Sequence, residues 1–180
     1  MKSLLILFLS LSALNSFGQS PKKTIKQLGS EPIYFIDSVS IAKEDLLKFS
    51  PESIASLTVY RDSSALRLAG PKGKDGVIYI ETIAFTKRRY WSYFKSKSPE
   101  YARLIASPQS DSTVQYILNG RLLKAKSEGD LALIDNKIFK SIKVIDKATL
   151  QKEYKVTNKA SGVVIESSIP TDLYRAKKKF

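Results

Sequence analysis

Ile54-Ala55-Ser56-Leu57-Thr58-Val59-Tyr60 returns as Phe139-Lys140-Ser141-Ile142-Lys143-Val144-Ile145, and reading the two as one strand laid down twice decides the fold. Apolar side chains alternate with small or polar ones in both, the period-two pattern of a half-buried strand. Two further matches flank the pair in the same order. Upstream, Tyr34-Phe35-Ile36-Asp37-Ser38 corresponds to Tyr116-Ile117-Leu118-Asn119-Gly120. Downstream, Gly76-Val77-Ile78-Tyr79-Ile80-Glu81 corresponds to Gly162-Val163-Val164-Ile165-Glu166. The offset between partners grows from 82 to 85 to 86, as small loop insertions require. One match of this kind is weak; three in register point to an internal repeat, which has to be found before any other feature because missing it misreads the fold.

Each upstream string ends in a turn pair and runs on into a second apolar stretch, Val39-Ser40-Ile41 or Leu122-Leu123. Asn-Gly between such runs is the strongest short-range hairpin signal, since both turn residues take positive φ. Asp37 occupies the place of Asn119, so it is expected to serve the turn rather than act as a base or ligand. Ala42 to Phe49 predicts a short helix, ended by Ser50-Pro51. After the central strand, Asp62-Ser63-Ser64-Ala65-Leu66 predicts a helical turn capped by Asp62 or Ser63. Gly70 to Gly76 reads as a turn-rich loop, and Val77 to Thr82 as a strand buried on both faces. That loop leads into a strand instead of a helix and lacks a terminal Lys-Ser/Thr, so it is expected to be structural and not a phosphate cradle. The second copy follows the plan more loosely, with a weaker helix around Gly129 to Leu133 and a last loop from Thr157 to Gly162. The expected class is α+β: two tandem diverged units, each a small mixed sheet with one or two short helices.

The chain contains no Cys and no His. Disulfides, thiolate nucleophiles, Ser–His–Asp relays, Cys/His zinc sites and His proton shuttles are thereby excluded. A Ser–Lys pair and carboxylate chemistry remain open, the latter with Asp62, Asp75 and Glu81 as the candidates, but an acid–base pair requires two carboxylates roughly 5–10 Å apart and differently tuned. Nothing in the sequence signals such a pair, and no cofactor or metal is implied. Met1-Lys2, the apolar run Leu4 to Leu14 and the small residues Ser16 and Gly18 predict a secretory signal peptide over 1–18, cleaved to leave Gln19 first. Its apolar run falls short of the roughly 20 residues that span a bilayer. The expected organisation continues with a linker over 19–30, a first unit over 31–83, a connector over 84–110, a second unit over 111–170 and a basic tail over 171–180.

The first copy resembles the plug domain of TonB-dependent outer-membrane receptors. The likeness rests on Pro32-Ile33-Tyr34-Phe35-Ile36-Asp37-Ser38-Val39, on Ile54 to Ala65 and on Gly76-Val77-Ile78-Tyr79-Ile80. That family shows an apolar strand ending in Asp-Gly, an I-x-S-I-x-V-x-K-D-x-S-A passage and a G-x-x-G-V-I-x-I-x-T closing strand. Here Asp37-Ser38 stands for the Asp-Gly and Arg61-Asp62 for the Lys-Asp. The match is close over residues 32–82 and faint over 114–166. It implies the fold and an address in the bacterial envelope. It does not carry over transport, because 180 residues leave no room for the family's barrel.

Net charge is +13, and its distribution is uneven. Residues 84–110 hold six basic side chains against one acidic, whereas 31–83 hold six basic against eight acidic. Within the connector, Lys87, Arg88, Arg89, Trp91, Lys95 and Lys97 interleave cations with aromatics. Such a run can meet an anionic lipid or glycan surface or an envelope protein. It can also be a helix whose Trp91 and Phe94 pack on a sheet while the cations stay solvated. Nucleic acid, bound through phosphates and stacking, is not the expected partner of an exported chain. The functional expectation is a non-enzymatic binding or scaffold protein, periplasmic or associated with the outer membrane of a Gram-negative bacterium, without a transmembrane span in the mature chain. The alternatives are an accessory plug-like subunit of a separately encoded outer-membrane transporter and, less favoured, a carboxylate-dependent hydrolase.

Overall fold

The computed structural model of the protein describes residues 28–168. The leader expected at 1–18, most of the linker and the 171–180 tail lie outside the described residues. Among the described residues eight strands form two four-stranded sheets. In the first, β1 (Ile33–Ile36), β2 (Val39–Ile41), β3 (Ile54–Tyr60) and β4 (Val77–Thr82) take the order β2-β1-β4-β3. In the second, β5 (Val114–Leu118), β6 (Arg121–Leu122), β7 (Phe139–Asp146) and β8 (Ser161–Ser167) take the order β6-β5-β8-β7. Both sheets pair their first two strands antiparallel, their first and last parallel, and their last two antiparallel.

Agreement between the copies extends to register. Tyr34 faces Ile78 as Tyr116 faces Val163, and Val59 faces Ile78 as Val144 faces Val163. A bulge interrupts β3 between Ile54 and Ser56, and another interrupts β7 between Phe139 and Ser141. An extra residue at the same point of both edge strands marks a shared design of the unit. These registers correct the downstream match. Gly162 stands opposite Gln115 and Ile145, the place that Val77 holds between Ile33 and Tyr60, so Gly76 and Gly162 are not equivalent. Gly76 sits before its strand at φ +97°, whereas Gly162 lies inside β8, where a Cβ would come within 2.8 Å of Ile145.

The described residues also form five α-helices: α1 (Asp62–Ala69), α2 (Ile83–Lys97), α3 (Pro99–Leu104), α4 (Glu128–Ala132) and α5 (Lys147–Tyr154). The helix expected from Ala42 to Phe49 is instead a 3-10 segment, Lys43–Lys48, because both flanks are extended and six residues scarcely nucleate an α-helix. The expected capping by Asp62 or Ser63 is also corrected. Arg61 has the extended backbone of an N-cap, while Asp62 opens the first turn at φ +51°. At α5 the Asp146 side chain does cap, accepting from Thr149 N at 2.8 Å. The last loop is shorter than expected, since Ser161 and Gly162 already belong to β8.

Sheet registers sort the apolar residues onto two faces. In the second unit one face, Val114, Tyr116, Val163 and Ile165, lies under Tyr90 and Phe94 of α2, Tyr101 of α3, Ile105, and Leu131 of α4. On the other face Ile117 and Ile145 pack on Leu150 of α5. The first unit has a thinner cover: Ile36, Ile78 and Ile80 lie under Leu28, Leu46, Phe49 and Ile54. Val39 stays 63% exposed and Leu47 92% exposed. The segment expected as a connector is thus the main roof of the second unit.

Candidate partner-binding surface on the connector

Helix α2 leaves β4 without a loop, because Thr82 both ends the strand and caps the helix, accepting from Phe85 N. Thr82 is itself clamped: its backbone N and Oγ1 both donate to the Asp37 carboxylate, each at 2.7 Å. Its counterpart Ser167 donates its N to Asn119 Oδ1 at 2.9 Å. Both turn residues stand at positive φ, 50° and 49°, and the backbone N of each reaches the last strand of its sheet at Ile80 O or Ile165 O. The turn residues therefore tie the hairpin to the end of the neighbouring parallel strand, a contact no local reading supplies.

The inward stripe of α2 is Thr86, Tyr90 and Phe94, spaced by four residues and fully or almost fully buried. Tyr90 Oη donates to Asp111 Oδ2 at 2.9 Å, and Lys87 Nζ reaches Asp111 Oδ1 at 2.8 Å. Tyr101 and Tyr116 share a 3.0 Å hydroxyl contact deeper in the same core. Burial, first of all, pushes the phenols of Tyr90, Tyr101 and Tyr116 well above the usual tyrosine value. Asp111 was not singled out from the sequence; only the fold brings it beneath Lys87.

The six residues expected at a partner surface divide into three groups. Lys87 and Arg89 are committed to carboxylates: Lys87 to Asp111, Arg89 to Glu81 with a second bond to Ala132 O at 3.3 Å. Trp91 is half-buried, donates Nε1 to Ile105 O at 2.9 Å and carries Lys95 Nζ 4.7 Å from its ring centroid. Arg88 lies over Phe85, and Lys97 over Tyr93 and Phe139. Among the described residues Arg88, Lys95 and Lys97 have no carboxylate partner. Their rings hold them in place without neutralising them, and that leaves three charges for an external anion.

Of the carboxylates considered for chemistry, Asp62 and Asp75 lie at the same end of the β3–β4 pair, whereas Asp75 and Glu81 do not converge. Asp75 precedes β4 and accepts from Glu31 N at 3.3 Å, while Glu81 near the strand's far end binds Arg89 and accepts from Ser56 Oγ. Glu81 lies six positions further along the chain, most of them extended, which separates the two by about 20 Å, well beyond the reach of an acid–base pair. Among the described residues no group of three or more acidic side chains could hold a metal ion, and no helix is long and apolar enough to cross a membrane. In comparison with known proteins, the chain matches no family model, no curated protein and no solved structure.

Proposed function

We propose that the protein is an exported, non-catalytic binding or scaffold module of the bacterial cell envelope, built on a plug-like unit used twice. The observation that carries this reading is the pairing of a repeated scaffold with three cations on α2, Arg88, Lys95 and Lys97, which lie over aromatic rings and have no carboxylate partner among the described residues. Side chains in such a place meet a partner rather than turn over a substrate. The carboxylates add support, since Asp37, Asp111, Asp146 and Glu81 are each engaged by the protein's own donors. Stacking on nucleobases is disfavoured, because Lys95 lies over the Trp91 ring. The partner in this reading is an envelope protein or an anionic glycan or lipid surface. An accessory subunit to an outer-membrane transporter is the second reading, favoured by the plug-like sequence of residues 32–82.

Lysine-reactive crosslinking of intact cells, followed by mass spectrometry of the envelope fraction, tests the proposal. A mature chain beginning at Gln19 and crosslinked through Lys95 or Lys97 to one envelope component is the expected result. Recovery of uncleaved, uncrosslinked protein from the cytosol would overturn it, and a transporter as the crosslinked species would select the second reading.

A further inference from the structure

The two edge strands that end each sheet, β3 and β7, are equivalent in register and in bulge, yet their outer edges meet different surroundings. Beside β3 runs α4: a Cβ on Gly129 would stand 3.3 Å from Ala55 O, at the bulge itself. β7 likewise ends its sheet and touches α3 and α5, but no backbone hydrogen bond from another described element reaches its outer edge over residues 140–146. An eight-residue strand, about 26 Å long, thus carries an outer backbone row that no described strand pairs. Such a row is a template for a further strand unless side chains deny it.

The side chains along this edge are selective. Lys137, Lys140, Lys143 and Lys147 recur from the turn before β7 to the helix after it, and all four are exposed. None has a carboxylate partner among the described residues. The nearby acids are differently placed: Asp135 caps the turn at Lys137 N and Ile138 N, Asp146 caps α5, and Glu166 lies one strand inward, opposite Ser141. Lys97 extends the positive surface onto α2, with its Nζ 5.8 Å from the Phe139 ring that opens β7. Lysines on an open edge repel a second copy of the same edge and any basic or uncharged strand that would leave them desolvated. An acidic strand meets no such barrier.

We propose that the outer edge of β7 takes an extended acidic peptide segment as a fifth strand, paired through backbone hydrogen bonds and selected by Lys140 and Lys143. This deepens the binding reading above and rests on it, but its test uses purified protein, so failure here is separable from failure of export or envelope location. The probe is a fluorescein-labelled (Glu-Val)5 peptide, compared by anisotropy with the same peptide N-methylated at alternate residues and with (Lys-Val)5. The unmodified acidic peptide is expected to bind. Alternate N-methylation and the double variant Lys140→Glu/Lys143→Glu are each expected to weaken binding roughly tenfold or more. The basic peptide is expected not to bind. Equal binding of the methylated peptide would reduce the contact to diffuse charge attraction and overturn the proposal. Indifference to the double substitution, or no binding at about 100 μM, would overturn it as well. If the double variant fails to fold, the methylated pair still decides the matter.

Discussion

Asp37 and Asn119 show what one residue contributes when the same backbone is built twice. Both take the left-handed conformation that a hairpin turn demands, and both turn their side chains to the N–H of the residue closing the last strand. Asp37 adds a second bond, from Thr82 Oγ1 at 2.7 Å. Removing an ionised acceptor that serves two donors costs about 2 kcal/mol. Asp37→Ala is therefore expected to lower the urea unfolding free energy by that amount, whereas Asp37→Asn, which copies the second unit, should cost under about 1 kcal/mol. A larger loss in Asp37→Asn than in Asp37→Ala would show that the charge serves something other than this clamp. Sequence made the turn legible, because Asn-Gly is a local signal. The clamp was not legible, since Thr82 lies 45 residues from Asp37 and only the parallel pairing of β1 with β4 brings them together.

At the scale of elements, α2 joins the units by ending one sheet and roofing the next. Its stripe of Thr86, Tyr90 and Phe94 follows from the helical period, and the sequence already offered packing on a sheet as one reading of Phe94. What escaped was the polar seam beneath, where Asp111, Tyr90, Tyr101 and Tyr116 satisfy one another in a core sealed by aromatic rings. Helix α5 escaped too: its inward stripe is only Leu150 and Tyr154, too short for a periodicity reading to find. The seam makes stability depend on alkaline pH. Folded phenols of Tyr90, Tyr101 and Tyr116 hold their protons beyond the range near 10 where an unfolded tyrosine releases its own. The unfolded chain therefore gains by deprotonation first, so this contribution is whole below pH about 10 and falls as pH rises above it. Denaturation midpoints measured from pH 9 to 11.5 should drop, and Tyr116→Phe should drop less steeply over the same interval. Parallel slopes for the variant and the original would remove Tyr116 from the cause.

Over the whole molecule the two units differ in cover more than in plan. The second sheet carries helices on both faces and a core of Tyr90, Phe94, Tyr101, Val163 and Ile165; the first has a smaller cluster, Ile36, Ile78 and Ile80, beneath 3-10 turns, with α1 against β4 and α4 beside β3. Fewer buried apolar contacts predict easier local opening. Hydrogen exchange should accordingly be faster at Ile78 and Ile80 than at Val163 and Ile165, and the reverse order would contradict the contrast in cover. The duplicated plan was readable because strand periodicity and turn residues are local and survive divergence. Differences in roofing were not, because they depend on where distant helices come to rest. The most direct check is NMR detection of scalar couplings across backbone hydrogen bonds in isotope-labelled protein. A twice-built unit requires couplings from Asp37 N–H to the Ile80 carbonyl and from Asn119 N–H to the Ile165 carbonyl. Finding one and not the other, or partners displaced along β8, would mean that the chain does not build the same sheet twice.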